Sequence, residues 1–431
     1  MLNLQTFRCG LLNHALSGTC FVLLLGGLLL LSACSSEPER QPSQETVRFM
    51  TYNIEDVRTA DVKRPDHPRL LEAAARLQSL RPDVLLINEL SYDELGGPDV
   101  GESDEPGQNA RRFAETYLAR AQADSLGPLS YQAVMFPVNT GRASGMDLNN
   151  DGRVVTDTPQ VPGSPKNGGV APQNEAGRAY GGDAWGFGTF PGQYGMALFV
   201  RDDLEVLRDS IRTFRLLPWS AMPNPSVPVD SVTGEPYYSD AEWETLRLSS
   251  KSHWDIPIRL PDGRVVHVLA SHPTPPTFDG AADRNGRRNH DEIRLWADYI
   301  SGADYIVDDS SRAGGLPEDA AFVIMGDQNA DPDEGDSYST PIADLIALDR
   351  VQDPVPTSME RGENSSDIDP DDTARWGLRA DYVLPSANLT ITDSGVWRPN
   401  AAEEAASDLD VSDHFPVWVD VRTEPGASGG E

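Results

Sequence analysis

The chain has 431 residues and is strongly acidic, with 68 Asp and Glu against 35 Lys and Arg and a net charge of −33. A surface of that sign repels polyanions at low salt, which excludes tight non-specific binding of nucleic acid. Its three cysteines, Cys9, Cys20 and Cys34, all lie in the first 34 residues; the chain beyond Cys34 has no internal disulfide and no thiolate metal site, so a metal there needs oxygen and imidazole ligands.

The first residues read as an address. Arg8 gives a weakly positive start, and the apolar run 21–31 is shorter than the roughly 20 residues that span a bilayer, so it reads as the core of a signal peptide, residues 1–33. Leu31-Ser32-Ala33-Cys34 resembles a bacterial lipobox, in which cleavage precedes Cys34 and the thiol carries lipid. An ordinary signal peptide with an incidental cysteine is the alternative. Segment 34–46 then serves as lipidated cysteine and polar tether. The expected location is extracytoplasmic, as a lipoprotein held to the membrane by its lipid alone, on the periplasmic side of the outer membrane or at the cell surface. Ser35, rather than Asp, after the cysteine fits outer-membrane sorting. The acidity fits either a salt-adapted organism or simply an acidic extracellular protein.

Residues 47–53 read as a strand, Val47, Phe49 and Thr51 alternating with Arg48, Met50 and Tyr52. Pro68–Leu80 reads as a helix: proline suits a first turn, and Leu70, Leu71, Ala74, Leu77 and Leu80 form one apolar stripe. After Pro82, the unbroken apolar run 84–87 reads as a strand buried on both faces. A helix is expected over 109–121 and a strand over 131–136. Residues 137–195 turn rich in Gly, Pro, Asn and Asp with little periodicity, an insertion over one end of the domain that is either functional or mobile. Next come a strand at 195–200, a Pro-rich loop at 218–240, and a hairpin of 253–260 and 264–270 around Pro261-Asp262-Gly263. The pattern then gives a helix at 289–300, a buried strand at 321–325, strands at 381–384, 388–392 and 416–421, and a flexible tail at 424–431.

Six polar signatures sit at the ends of these runs: Thr51-Tyr52-Asn53-Ile54, Asn88-Glu89, Ser271-His272-Pro273, Gly326-Asp327-Gln328-Asn329, Arg379-Ala380-Asp381-Tyr382 and Ser412-Asp413-His414. They must converge to act together, so 47–423 is expected to be one domain. Carboxylates, amides and histidines at strand ends suit metal-assisted hydrolysis of a phosphate ester. Glu89, closing a buried strand, is costly without a partner and is expected to be the main metal ligand. Asn53 offers an amide oxygen to metal or phosphate, or merely turns the chain after a strand. His272 and His414 can donate to phosphate oxygens as negative charge builds. Gly326 lets the chain turn and project Asp327 and Asn329, although Gly-Asp-x-Asn also suits a plain turn.

Taken in this order, the signatures resemble the endonuclease/exonuclease/phosphatase superfamily. The resemblance implies an α/β fold, a four-layered α/β sandwich of two packed mixed β-sheets flanked by helices. It implies a divalent-metal-dependent phosphoesterase, using magnesium or manganese, acting on phosphate mono- or diesters. By the same resemblance Asp327 activates the attacking water, Asn329 holds the phosphate, Asp381 orients His414, and Asp413 is a second metal ligand or positions water. An extracellular endonuclease on DNA or RNA is an alternative, and a non-catalytic calcium-binding surface lipoprotein is another. A monomer is expected.

Two segments depart from the family pattern. Within the insertion, Asp147, Asn149 and Asp151, with Gly152 next and Asp157 further on, resemble a structural calcium loop, although Thr158 stands where such a loop carries its closing Glu; an Asp-rich solvated loop is the plainer reading. After His272, the stretch 275–292 carries Arg284, Arg287 and Arg288, expected to grip substrate phosphate bidentately, or else to form a charged helix start.

Overall fold

Alternation of apolar residues builds two sheets in the computed structural model, which describes residues 46–358, 360, 368–400 and 411–423. The expected signal segment 1–33, Cys34 with its tether up to residue 45, and the tail 424–431 lie outside the described residues. The strands are β1 (Thr46–Val57), β2 (Val84–Leu90), β3 (Tyr131–Val134), β4 (Met196–Arg201), β5 (Glu205–Val206), β6 (Arg212–Thr213), β7 (His253–Arg259), β8 (Val265–Ser271), β9 (Ala321–Asp327), β10 (Asp381–Pro385), β11 (Ile391–Val396) and β12 (Val417–Arg422). One sheet runs β11-β12-β1-β2-β4-β3; the other runs β10-β9-β8-β7-β5, with β6 also on β7. Both are mixed: β1 and β2 are parallel, as are β8 and β9, and their other pairings are antiparallel.

Seven helices complete the described fold: α1 (Thr59–Lys63), α2 (Pro68–Leu80), α3 (Asn109–Phe113), α4 (Glu175–Gly182), α5 (Asp240–Thr245), α6 (Arg284–Ile300) and α7 (Pro341–Ile346). Three apolar layers hold the architecture together. Val47, Phe49, Leu86 and Leu198 of the first sheet meet Trp254, Ile256, Val268 and Val323 of the second. Met50, Tyr52 and Ile87 on the outer face of the first sheet pack on Leu70, Ala74 and Leu77 of α2 and Phe113 of α3. Leu269, Ile324 and Tyr382 on the outer face of the second pack on Ile293, Trp296 and Ile300 of α6. The result is the four-layered α/β sandwich, helix on sheet on sheet on helix. Among the described residues, no helix is long and apolar enough to cross a membrane.

Register in β1 comes from this double burial. Its two faces enter different cores, and its one charged residue in the middle, Arg48, reaches out to grip Asp420 of β12 through Nε at 2.7 Å and Nη2 at 2.8 Å. A slip by one residue would drive that guanidinium into the layer between the sheets.

The structure corrects several boundaries. The expected helix 109–121 stops as α3 at Phe113 and continues as a π-helical turn through Leu118. The strand expected at 388–392 is β11, three residues further on. The helix expected from 289 begins at Arg284, because Asp279 Oδ2 accepts the backbone N–H groups of Asn285 at 2.6 Å and Gly286 at 3.3 Å. That cap comes from a loop upstream of the first turn, where apolar periodicity carries no signal.

The insertion 137–195 is folded rather than structureless. Val138, Leu148, Tyr180 and Phe190 are buried in it. Asn139 donates to the carbonyls of Arg215 and Ser249, the Tyr180 hydroxyl donates to Gly141, and Asp183 accepts from Leu148 and Val155. Point contacts across long sequence separations hold it in place, so no period marks it.

Candidate active site

Glu89 ends β2 with its backbone at φ 66°, a left-handed conformation that carries strain for a residue with a Cβ. The bend aims its carboxylate at Asn53, at the end of the neighbouring parallel strand. Asn53 Nδ2 donates to Glu89 Oε1 at 3.2 Å and to Asp327 Oδ2 at 3.0 Å. Asp327 comes from the other sheet, delivered by Gly326. That glycine has φ 138°, and a Cβ there would come within 2.0 Å of the Ser271 carbonyl oxygen, so no side chain fits. The backbone of Asn329, itself at φ 50°, donates to Asp327 Oδ1 at 2.9 Å.

Two histidines meet this carboxylate. His272 Nε2 lies 3.4 Å and His414 Nε2 3.6 Å from Asp327 Oδ2. His414 Nδ1 donates to Asp381 Oδ2 at 2.7 Å, and the Thr373 hydroxyl donates to the same oxygen at 2.8 Å. Asp413 sits beside His414, its Oδ1 3.9 Å from Nε2. Ser412, between β11 and β12, ties this segment to β1 by donating to the Asn53 carbonyl at 2.7 Å. Asn53, Glu89, His272, Asp327, Asn329, Asp381, Asp413 and His414 thus gather at one place, and a cavity of about 1090 Å³ opens over Glu89, His272, Asp327, Asn329, Asp413 and His414.

Electrostatics separates the two histidines. Burial would depress His414, but the Asp381 and Asp327 carboxylates overcome it and hold the imidazole well above its ordinary value, so it is a cation. Burial, together with the Lys251 and His414 charges, holds His272 well below, so it is neutral. Burial raises Asp327 to about 6, against the pull of His414. Burial, with Asp413 and Asp56 as like charges, pushes Glu89 up to about 7. A nearby cation would relieve carboxylates crowded in this way.

Asp327, Asp381 and His414 are also the one trio of His, Cys, Asp or Glu groups among the described residues whose ligand atoms lie within 4.8 Å of one another. Their spacing is that of a hydrogen-bonded Asp–His–Asp chain, because Asp381 already takes the Nδ1 proton. The oxygens that would hold a metal lie rather on Glu89, Asp413 and Asn53, whose Oδ1 accepts the Glu55 N–H at 2.9 Å. All are hard oxygen donors, which fits magnesium, manganese or calcium.

The expected calcium ligands do not form such a group. Asp147 accepts the N–H groups of Asp151 and Gly152, Asn149 accepts that of Asp151, and Asp151 accepts that of Arg153. Asp157 is not drawn into a cluster with Asp147 and Asp151. The three arginines do not act as one clamp either. Arg288 borders the cavity, but it is buried and donates to the carbonyls of Leu248, Trp185 and Arg247. Arg287 stacks on Tyr338, 4.4 Å from the ring centre, and is not among the lining residues. Arg284 alone of the three reaches the cavity with its guanidinium over an aromatic ring, Tyr237.

Sequence reading missed several residues that the fold brings in. Lys251 is buried against the site, its Nζ 3.1 Å from the Pro273 carbonyl, with its ammonium depressed by burial and supported by Glu292, Glu89 and Asp327. Its signal was rarity: Lys63, Lys166 and Lys251 are the only lysines. Asp56 lies against Glu89, its N–H donating to Glu89 Oε2 at 2.8 Å. Glu292 on α6 accepts from Ser250 and Thr274, and Asn289 donates to the carbonyls of Thr274 and Gln328. One helix face therefore staples the loops that carry Lys251, His272 and Asp327.

No curated protein matches the chain. Among solved structures, it is similar to an endonuclease/exonuclease/phosphatase from Beutenbergia cavernae, at 18% identity over 88% of this chain and 71% of that one, with a TM-score of 0.46. It is similar to the human Nocturnin catalytic domain, solved with a bound sulfate anion, at 14% identity over 90% and 100% of the two chains, with a TM-score of 0.42. An endonuclease/exonuclease/phosphatase family protein from Bacteroides thetaiotaomicron is 14% identical over 89% and 99%, with a TM-score of 0.42. The model of the Endonuclease/Exonuclease/phosphatase family, whose members hydrolyse phosphoester bonds and typically depend on a divalent metal, matches residues 50–414, from within β1 to His414. The chain belongs to the endonuclease/exonuclease/phosphatase family.

Proposed function

We propose that the protein is a divalent-metal-dependent phosphoesterase that hydrolyses phosphate mono- or diesters outside the cytoplasm. The observation that carries this reading is the continuous chain of contacts from Glu89 through Asn53 and Asp327 to His414 and Asp381, of which Glu89, Asp327 and His414 line the cavity. Glu89, with Asn53 and Asp413, would hold magnesium or manganese, which supplies charge stabilisation to a non-bridging phosphate oxygen. The protein's own groups do the rest. Asp327, poised at about 6, takes the proton of the attacking water. Asn53 and the Asn329 backbone fix the orientation of that carboxylate. His414, kept cationic by Asp381, donates from Nε2 to the phosphoryl oxygens as negative charge grows. His272, Asn329 and Lys251 face the same charge.

The net charge of −33 favours a small ester over a nucleic-acid polymer. For location, the lipobox-like Leu31-Ser32-Ala33-Cys34 supports a lipid-anchored protein. Phosphate release from bis-p-nitrophenyl phosphate and p-nitrophenyl phosphate, with plasmid DNA as a third substrate, tests the reading: the small esters are expected to turn over with magnesium or manganese, and silence on all three with every metal would leave a non-catalytic binding protein.

A further inference from the structure

The floor of the cavity is ionic, and at its rim exposed aromatic side chains join charged ones such as Arg178, Glu334 and Asp336. Three aromatic side chains stand out among the exposed large apolar residues of the described chain: Phe278 at 91%, Trp376 at 50% and Phe187 at 44% exposure. All three line this one cavity. They come from three separate segments: the insertion, the loop between β8 and α6, and the loop before β10. Exposed aromatic surface opposes folding, and its concentration around one opening marks a ligand-binding edge.

Each ring is held out by its surroundings. Phe278 has φ 61°, a strained conformation for a bulky residue. Its neighbours fix it there, because Asn285 Nδ2 donates to the Thr277 carbonyl at 2.7 Å and Asp279 caps the first turn of α6. Trp376 sets its edge against the His414 imidazole at 4.8 Å and 89°, leaving half of the side chain open. Phe187 lies across Gly181, where a Cβ would come within 2.9 Å of its ring.

Resting on the phosphoesterase reading, we propose that the substrate is a small phosphate ester carrying a flat aromatic group, seated among Phe187, Phe278 and Trp376 while its phosphate lies on the floor by Glu89 and Asp327. A nucleoside phosphate and an aryl-alkyl phosphate share this chemistry. The cavity volume, about 1090 Å³, is at the upper end of the roughly 300–1,000 Å³ usual for small-molecule sites, room for a ligand of nucleotide size.

Matched pairs with equivalent leaving groups separate ring recognition from leaving-group chemistry. Phosphate release is measured from adenosine 5′-monophosphate against ribose 5-phosphate, and from benzyl phosphate against cyclohexylmethyl phosphate. Cleavage of a dinucleoside monophosphate against glycerophosphoglycerol covers a diesterase. The aromatic member of at least one pair is expected to be favoured about tenfold in kcat/KM, and Phe278→Ala and Phe187→Ala to shrink that preference several-fold. Preference in the nucleoside pairs alone names a nucleotide, and preference in the benzyl pair alone names an aryl-alkyl ester. Equal rates within every pair, or a preference that both variants keep, would overturn the inference. So would hydrolysis of bis-p-nitrophenyl phosphate with none of the pairs turned over, an outcome that leaves the phosphoesterase reading standing. Silence on that control as well overturns both.

Discussion

Asp381 accepts the His414 Nδ1 proton at 2.7 Å and, with Asp327, holds the imidazole well above its ordinary value. Replacing Asp381 by Asn removes the carboxylate that raises the imidazole, so the alkaline limb of the kcat/KM profile should move to lower pH. An alkaline limb unmoved in Asp381→Asn would show that the charge on His414 does not set it. On the proposed mechanism the acid limb reports Asp327, raised to about 6, and Glu89, raised to about 7: only ionised carboxylates accept a proton or hold a cation, so activity is expected to fall as pH drops through these values. His414→Ala should lower kcat by about 10²–10⁴, measured under conditions where the variant, having lost the buried partner of Asp381, is still folded. These residues were legible because each sits at the edge of an apolar run that reads as a strand. Lys251 and Asp56 escaped because no run ends on them; they become site residues through the loops that fold back on Glu89 and Pro273.

At the scale of elements, α6 does the positioning. Asn289 is buried and donates to the carbonyls of Thr274 and Gln328, one in each loop that carries a proposed catalytic group, His272 or Asp327. Asn289→Ala leaves both carbonyls without that donor, which should cost about 1–3 kcal/mol in urea unfolding and lower kcat more than it raises KM. A variant with wild-type kcat would mean that the loops hold themselves. The same helix accepts His253 from β7: its Nε2 donates to the Glu292 carbonyl at 2.9 Å, and its Nδ1 accepts from Ser249 at 2.7 Å. Burial depresses this imidazole to about 4. The unfolded chain binds its proton near 6.5, so between about 6.5 and 4 the unfolded state holds more protons and stability falls as pH falls. Wild type should therefore lose more stability than His253→Gln on acidification through that window; parallel curves would refute the assignment. The helix was legible from Ile293, Trp296 and Ile300, but its stapling role was not, because Asn289 and Glu292 act on loops far away in sequence. Arg287 and Arg288 drew attention as phosphate ligands for the reason that charge is visible in sequence while a carbonyl partner is not.

For the whole molecule, charge is the dominant fact. With a net charge of −33, the folded state repels itself, and screening should relieve that cost. The melting temperature is expected to rise when salt is raised from about 0.05 M to about 1 M, where the Debye length falls to about 3 Å; a falling value would place the stabilising charges in surface ion pairs instead. An α/β layered fold was legible because alternating and unbroken apolar runs alternate with helical stripes; its four-layered order followed only from the family resemblance that the strand-end signatures carry. The insertion 137–195 was not, since Asn139, Tyr180 and Asp183 hold it by single contacts rather than by a repeated face.

Metal-stripped protein offers the sharpest comparison. Hydrolysis of bis-p-nitrophenyl phosphate should vanish on chelation, return with magnesium or manganese in the wild type, and fail to return in Glu89→Gln or Asp327→Asn at the same metal concentration. A rate that survives chelation, or variants that recover as the wild type does, would contradict a cation held at Glu89 beside a water-activating Asp327.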